Sequence, residues 1–140
     1  ADQKAQLVLE EKQRKEAEEK LKEQRRKDQA LLDTYATLED IDIAQRKAES
    51  DVNLAIKDIE AKIDASKKKR KKFEDEAEFY KKRSLPAEVA KGLGEADHEI
   101  KTQQELLAVK RGDLQTIKTK YDTDRRRYIE LTGARPRAGS

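Results

Sequence analysis

Apolar residues in the second half of the chain recur at alternating steps of four and three. The series that starts at Val89 continues through Leu93, Ala96, Ile100, Gln103, Leu107, Lys110, Leu114, Ile117, Tyr121, Asp124, Tyr128 and Leu131. Its alternate members, seven residues apart from Leu93 to Tyr128, are all aliphatic or aromatic. This heptad pattern predicts a long helix with one apolar stripe, of the kind that packs in a coiled coil.

The preceding segment carries a matching stripe. Its members are Leu38, Ile41, Ala48, Val52, Ile56, Ile59, Ile63, Ser66, Arg70, Phe73, Ala77 and Tyr80. The steps of four at 48–52–56 form a stutter, which relaxes a supercoil locally. Ser84 and Pro86 follow this stripe, and a hydroxyl cap before an early proline marks a helix start. We therefore predict helices over 38–82 and 87–131, joined by a turn at 83–86.

A short connection between two long helices predicts that the chain folds back as an antiparallel hairpin. Folding at the turn places Ile41 near Tyr128 and Phe73 near Ala96. Since two helices bury only a narrow seam, we expect the hairpin to self-associate, most simply as a homo-oligomer of two chains.

Residues 1–36 form a third predicted helix, which is polar and charged and has no apolar stripe. Thr37 and Asp40 have the spacing of a capping box, so the next helix is expected to begin at Leu38. Whether the first helix continues through 34–37 stays open. The chain is thus all-α, with a polar N-terminal helix (1–36), an antiparallel coiled-coil hairpin (37–132) and a disordered tail (133–140).

Composition restricts the chemistry that the chain can perform. Charged residues make up 45% of the chain and hydrophobic residues 34%, which favours long helices over a compact globular core. The absence of cysteine excludes disulfides, thiolate catalysis and cysteine zinc sites. Glu95 and His98 have the Glu-x-x-His spacing of bundle metal sites, but they lie off the apolar stripe. We expect no enzyme activity, metal, cofactor or small-molecule substrate.

Six consecutive cations form the strongest charged feature, which we call the basic run. Its residues are Lys67, Lys68, Lys69, Arg70, Lys71 and Lys72. Such a run can contact phosphates or anionic lipid, but six consecutive helical residues cover every face. Acidic residues of the other arm lie within reach in the hairpin, namely Glu95, Asp97, Glu99 and Glu105. A salt-bridged, solvated face is the primary interpretation, and binding of nucleic acid or a membrane surface is the alternative. The cations at 125–127 likewise face acids at 39–42.

The turn carries a candidate docking surface for a protein partner. Its residues are Phe79, Tyr80, Arg83, Leu85 and Glu88. An apolar patch rimmed with charge is what a docking site requires. The competing interpretation is that Phe79, Tyr80 and Leu85 only staple the turn.

Several segments point to a family. They are LLDTY (31–35), EDI (39–41), FYK (79–81) with Leu85-Pro86, IKTQQELL (100–107) and YDTDRRRY (121–128), within about residues 10–132. Together they resemble exported coiled-coil hairpin proteins of proteobacteria. The resemblance implies a periplasmic protein whose mature chain begins at Ala1, with a cytoplasmic location as the alternative, and it brings no activity or ligand.

No apolar run reaches the roughly 18 residues that a membrane span requires, so we expect a soluble protein. Together, these features predict a non-catalytic coiled-coil scaffold or spacer, or a protein-interaction module, of the bacterial cell envelope. The alternative function is anionic-polymer binding through the basic run.

Overall fold

The computed structural model describes residues 2–136, and these residues are all-α. The helices are α1 (Asp2–Thr34), α2 (Leu38–Phe79) and α3 (Ala87–Thr132). No strand occurs within residues 2–136, and no helix there is apolar over a length that would cross a bilayer. Residues 133–136 are not helical, and Ala1 and residues 137–140 lie outside the described part, so the disorder of the tail at 133–140 stays a prediction.

A capping box separates α1 from α2. The Thr37 Oγ1 accepts the Asp40 N–H at 3.2 Å, and the Asp40 carboxylate accepts the N–H groups of Ala36 and Thr37, each at 3.2 Å. These reciprocal bonds satisfy backbone donors that the first turn of α2 leaves without an intrahelical partner. Helix α2 therefore starts at Leu38 as predicted, and α1 is a separate helix.

The two predicted stripes are the surfaces that become buried or half-buried. Each of the thirteen stripe positions of α3 and the twelve from Leu38 to Tyr80 is buried or half-buried. The contacts between α2 and α3 fit an antiparallel hairpin, which confirms that part of the prediction. Helix α2 ends three residues earlier than expected, at Phe79, and α3 ends one residue later, at Thr132.

The chain divides into two compact units, each of which has its own contacts. The first unit contains residues up to Ala44 together with those from Lys120 onward, and the second contains residues 45–119. In the first unit, Leu38, Ile41 and Tyr128 form a buried cluster, on which Leu31, Tyr35, Tyr121, Ile129 and Ala134 pack. The predicted neighbours Ile41 and Tyr128 therefore meet. Full burial of one such side chain contributes about 1.5–3 kcal/mol.

Polar contacts of α3 fix the neighbouring segments around that cluster. The Tyr128 hydroxyl donates a hydrogen bond to the Ala36 carbonyl at 2.9 Å. Arg125 binds the Asp42 carboxylate through Nε at 3.1 Å and Nη2 at 2.8 Å, as expected for acids at 39–42. The expectation was wrong for Arg127, which binds Asp28 of α1 through Nε at 2.9 Å and Nη2 at 2.7 Å.

The second unit is built around the adjoining parts of α2 and α3. Its most buried residues are Ile56, Ile59, Ile63, Ser66, Val89 and Ala96. The Phe73 ring lies directly against Gly92, one turn nearer the hairpin end than Ala96, the neighbour predicted from the sequence. The buried Gly92 thus allows close approach of the aromatic side chain.

Replacement of helical glycines tests this close packing. Gly94→Ala and Gly112→Ala should each stabilise the protein by about 0.5–1 kcal/mol, since a Cβ meets nothing within 4 Å and alanine favours the helix. Gly92→Ala should instead destabilise by about 1–2 kcal/mol, because its Cβ overlaps the Phe73 ring. Urea unfolding monitored by circular dichroism measures the three differences. Equal stabilisation by all three substitutions would contradict the packing.

The Asp28–Arg127 pair predicts an acid-dependent loss of stability. Hydrogen bonds from Arg127 lower the pKa of Asp28 from 3.8 to about 2. Because the folded-state pKa lies below the unfolded value, the stabilisation is complete above about pH 4 and is lost as pH falls towards 2. The Tm of the wild type should exceed that of Asp28→Asn at pH 7, and the difference should shrink from pH 4 to pH 2. Asp33→Asn is the control on the same helix, because Asp33 accepts a hydrogen bond from its neighbour Gln29. A constant Tm difference between wild type and Asp28→Asn from pH 7 to pH 2 would exclude this linkage.

Candidate functional site

The hairpin tip, defined as residues 79–88, is closed by short-range backbone hydrogen bonds. The N–H groups of Tyr80, Lys81 and Arg83 each donate to the carbonyl three residues earlier, at 3.0, 3.2 and 2.8 Å. Such bonds tighten the last turn of a helix. The Pro86 carbonyl then accepts the N–H groups of Val89 and Ala90, both at 3.1 Å, and starts α3. Backbone hydrogen bonds between residues close in sequence therefore hold the turn.

The two aromatic side chains of the tip have different environments. Their rings meet edge to face, with centroids 5.1 Å apart and planes at 82°. Tyr80 is half-buried at the end of the α2 stripe, whereas Phe79 is 73% exposed. Leu85 is also exposed, at 41%. The interpretation that these residues staple the turn thus fits Tyr80 better than Phe79, because the Phe79 ring is largely exposed to water.

The charged side chains of the tip are exposed and mostly unpaired. Lys81 Nζ lies 3.3 Å from Glu78 Oε1, while Lys82 and Arg83 form no ion pair within the described chain. Residues 79–87 contain these three cations and no acid. Glu88 belongs to the first turn of α3, where a carboxylate interacts favourably with the helix dipole. The sequence interpretation named Arg83 but missed Lys81 and Lys82, although their position between Glu78 and Glu88 in the sequence was a usable signal.

The basic run is only partly neutralised by acids. Arg70 binds Asp97 on α3 and Glu74 on its own helix, and Lys71 Nζ binds Asp75 at 2.9 Å. Of the acids expected to face the run, Glu95 pairs instead with Lys91 at 3.8 Å and Glu99 accepts a hydrogen bond from Gln103 at 3.2 Å. Four cations of the run are exposed and form no ion pair within residues 2–136: Lys67, Lys68, Lys69 and Lys72.

A groove of about 620 Å³ lies between α2 and α3 beside the basic run. Ser66, which is 8% exposed, and Phe73 are among its lining residues. Lys69 and Lys72 line the groove together with Glu95 and Glu99, so its charges are mixed. The only histidine, His98, is exposed and is not among the residues that line the groove. The groove therefore contains no Ser–His pair.

Within residues 2–136, no group of three or more His, Cys, Asp or Glu side chains is arranged to hold a metal ion. Comparison with protein-family models, curated proteins and solved structures gives no match to this chain. The exposed residues of the hairpin tip and of the basic run are the candidate functional surfaces of the described chain.

Substitutions of the two phenylalanines distinguish a free tip residue from a packing residue. Phe79→Ala should change the free energy of unfolding by less than about 0.5 kcal/mol, because the side chain is 73% exposed. Phe73→Ala should cost about 2 kcal/mol or more, because its ring packs against Gly92. Urea denaturation gives both values. A large loss for Phe79→Ala would instead assign this residue to stapling the turn.

Proposed function

We propose that this protein is a non-catalytic helical scaffold or spacer of the bacterial cell envelope, acting through protein–protein contacts. The observation that supports it best is the exposure of Phe79, at 73%, in a chain that buries its stripe residues so consistently. A large aromatic side chain left in water beside cations is typical of a contact residue. The tip residues Phe79, Tyr80, Arg83, Leu85 and Glu88 are therefore the proposed docking surface, together with the outer helix faces.

Coiled-coil packing with self-association forms part of this proposal. In the second unit, several large stripe residues of α3 remain only half-buried, namely Leu93, Ile100, Leu107, Leu114 and Ile117. Their heptad spacing suits knobs-into-holes packing. A second hairpin would remove the remaining apolar surface from water, which favours a dimer over an isolated chain.

A periplasmic location is proposed from the resemblance to exported coiled-coil hairpin proteins. The charged, cysteine-free sequence is compatible with that compartment, although it suits the cytoplasm equally.

Binding of an anionic polymer through the basic run is the second candidate function. The observation that favours it is a set of four exposed lysines that form no ion pair with the described part of the chain, Lys67, Lys68, Lys69 and Lys72. Binding of nucleic acid through these lysines would weaken steeply with added salt, because each phosphate contact releases counterions. The ion pairs of Arg70 and Lys71 reduce the charge available to such a ligand.

Sedimentation equilibrium tests the scaffold proposal through its self-association. We expect a dimer of two 16.1 kDa chains in the micromolar range. Leu107→Ala/Leu114→Ala should weaken the dimer at least 100-fold, since truncating each leucine removes roughly 2 kcal/mol of apolar burial. The matched control is Leu106→Ala/Val109→Ala, whose side chains are 40% and 59% exposed and lie off the stripe.

Circular dichroism must show equal helix content for both double variants. A monomer at all concentrations would contradict self-association. A dimer that both variants leave unchanged would place the contact outside the stripe.

A further inference from the structure

The hairpin tip combines three kinds of side chain that act together at a lipid interface. Phe79 and Leu85 supply exposed apolar groups, Tyr80 an aromatic ring with a polar hydroxyl, and residues 81–83 three cations. Apolar and aromatic groups bind at the boundary between headgroups and acyl chains, while Lys and Arg bind lipid phosphates. We propose that the hairpin tip binds the surface of an anionic lipid bilayer.

The cations of the tip are available for such binding. Lys82 and Arg83 form no ion pair within the described residues, and the Lys81–Glu78 pair has both side chains more than 70% exposed, at 73% and 72%. An exposed pair of this kind contributes little, so its lysine exchanges readily for a lipid phosphate. The tip contains one acid, Glu88, and Glu78 adjoins it, so its three cations outnumber these two carboxylates.

The exposed tip suits a bilayer, and the protein contacts of the proposed scaffold then lie on its outer helix faces. Every residue from Lys81 to Leu85 is exposed. A protein partner would have to provide a preformed pocket for Phe79 with acids around it. A bilayer accepts an exposed apolar group because its headgroup region deforms, and it presents phosphates around that group in every direction. A small soluble anion would use the cations but not Phe79.

The basic run is too far along α2 to share this contact when the tip binds end-on. At 1.5 Å per residue, Lys72 lies roughly 10 Å and Lys67 roughly 18 Å from Phe79 along the helix axis. The Debye length is about 8 Å at physiological salt, so charges at those heights are largely screened from the surface. Binding through the tip and binding through the run are therefore experimentally separable. This inference rests on the proposed function in one respect: the hairpin tip must stay accessible when the scaffold assembles.

Tryptophan fluorescence measures insertion directly, because the chain contains no tryptophan. Phe79→Trp should shift its emission to the blue and become quenched by brominated lipid when vesicles of 30% phosphatidylglycerol in phosphatidylcholine are added. Pure phosphatidylcholine vesicles should leave it unchanged. Leu54→Trp is the control fluorophore, since Leu54 is 63% exposed on α2 far from the tip, and its emission should not respond.

Charge-matched variants locate the binding site, with affinity read by vesicle co-sedimentation. Lys81→Gln/Lys82→Gln/Arg83→Gln should lower the binding constant about 100-fold, since each cation near an anionic surface adds about fivefold. Phe79→Ala should lower it about tenfold. The control Lys67→Gln/Lys68→Gln/Lys69→Gln removes the same charge from the basic run and should change it less than threefold.

Several outcomes would overturn the proposal. They are the absence of vesicle binding, equal binding to neutral vesicles, and a larger loss from the basic-run variant than from the tip variant. A blue shift of Phe79→Trp with soluble polyglutamate equal to that with vesicles would assign the tip to an acidic protein instead. Circular dichroism and sedimentation of the same samples separate failure of this inference from failure of the scaffold proposal, since a folded dimer that ignores lipid refutes the former alone.

Discussion

Burial of the α3 stripe is the constraint on which the rest of the structure depends. The stripe from Val89 to Leu131 can leave water only against other helices, because the chain has too few apolar residues to form a layered core. In the second unit the apolar residues of α2, such as Ile56 and Ile63, are buried with it. In the first unit Tyr128 fills the corresponding position against Leu38 and Ile41. Helices with one narrow stripe each leave most of their surface to charged side chains.

Those charged side chains separate into two groups according to where they lie. Beside the buried stripes, arginines bind acids of another helix: Arg70 binds Asp97, Arg125 binds Asp42 and Arg127 binds Asp28. The same three arginines also bind an acid three or four residues away on their own helix, and the other ion pairs of the described residues are all of this short-range kind. The fork of an arginine makes two bonds to one carboxylate, which fixes helix position better than a lysine can. The unpaired lysines are therefore the ones available to a ligand.

The same distribution is the basis of the proposed scaffold role. The groove beside the basic run is lined by charges of both signs. At the hairpin tip Phe79 is exposed, and Lys82 and Arg83 form no ion pair with any residue that the structure describes. The proposed contact with another surface would use those features directly.

The sequence by itself determined the helix boundaries at Leu38 and Ala87, the two stripes and the capping box of Thr37 and Asp40. These features depend on residues three to seven positions apart, so local periodicity and cap chemistry contain the information. Only the tertiary structure decided that Arg127 binds Asp28, that Phe73 packs on Gly92, and that Phe79 points into water beside a half-buried Tyr80. The break at 35–37 determines the position of α1. Because α1 has no apolar stripe, its sequence does not predict which residues of α3 it contacts. The exposure of Phe79 depends on the backbone conformation of the turn, which the periodic pattern of apolar residues does not predict.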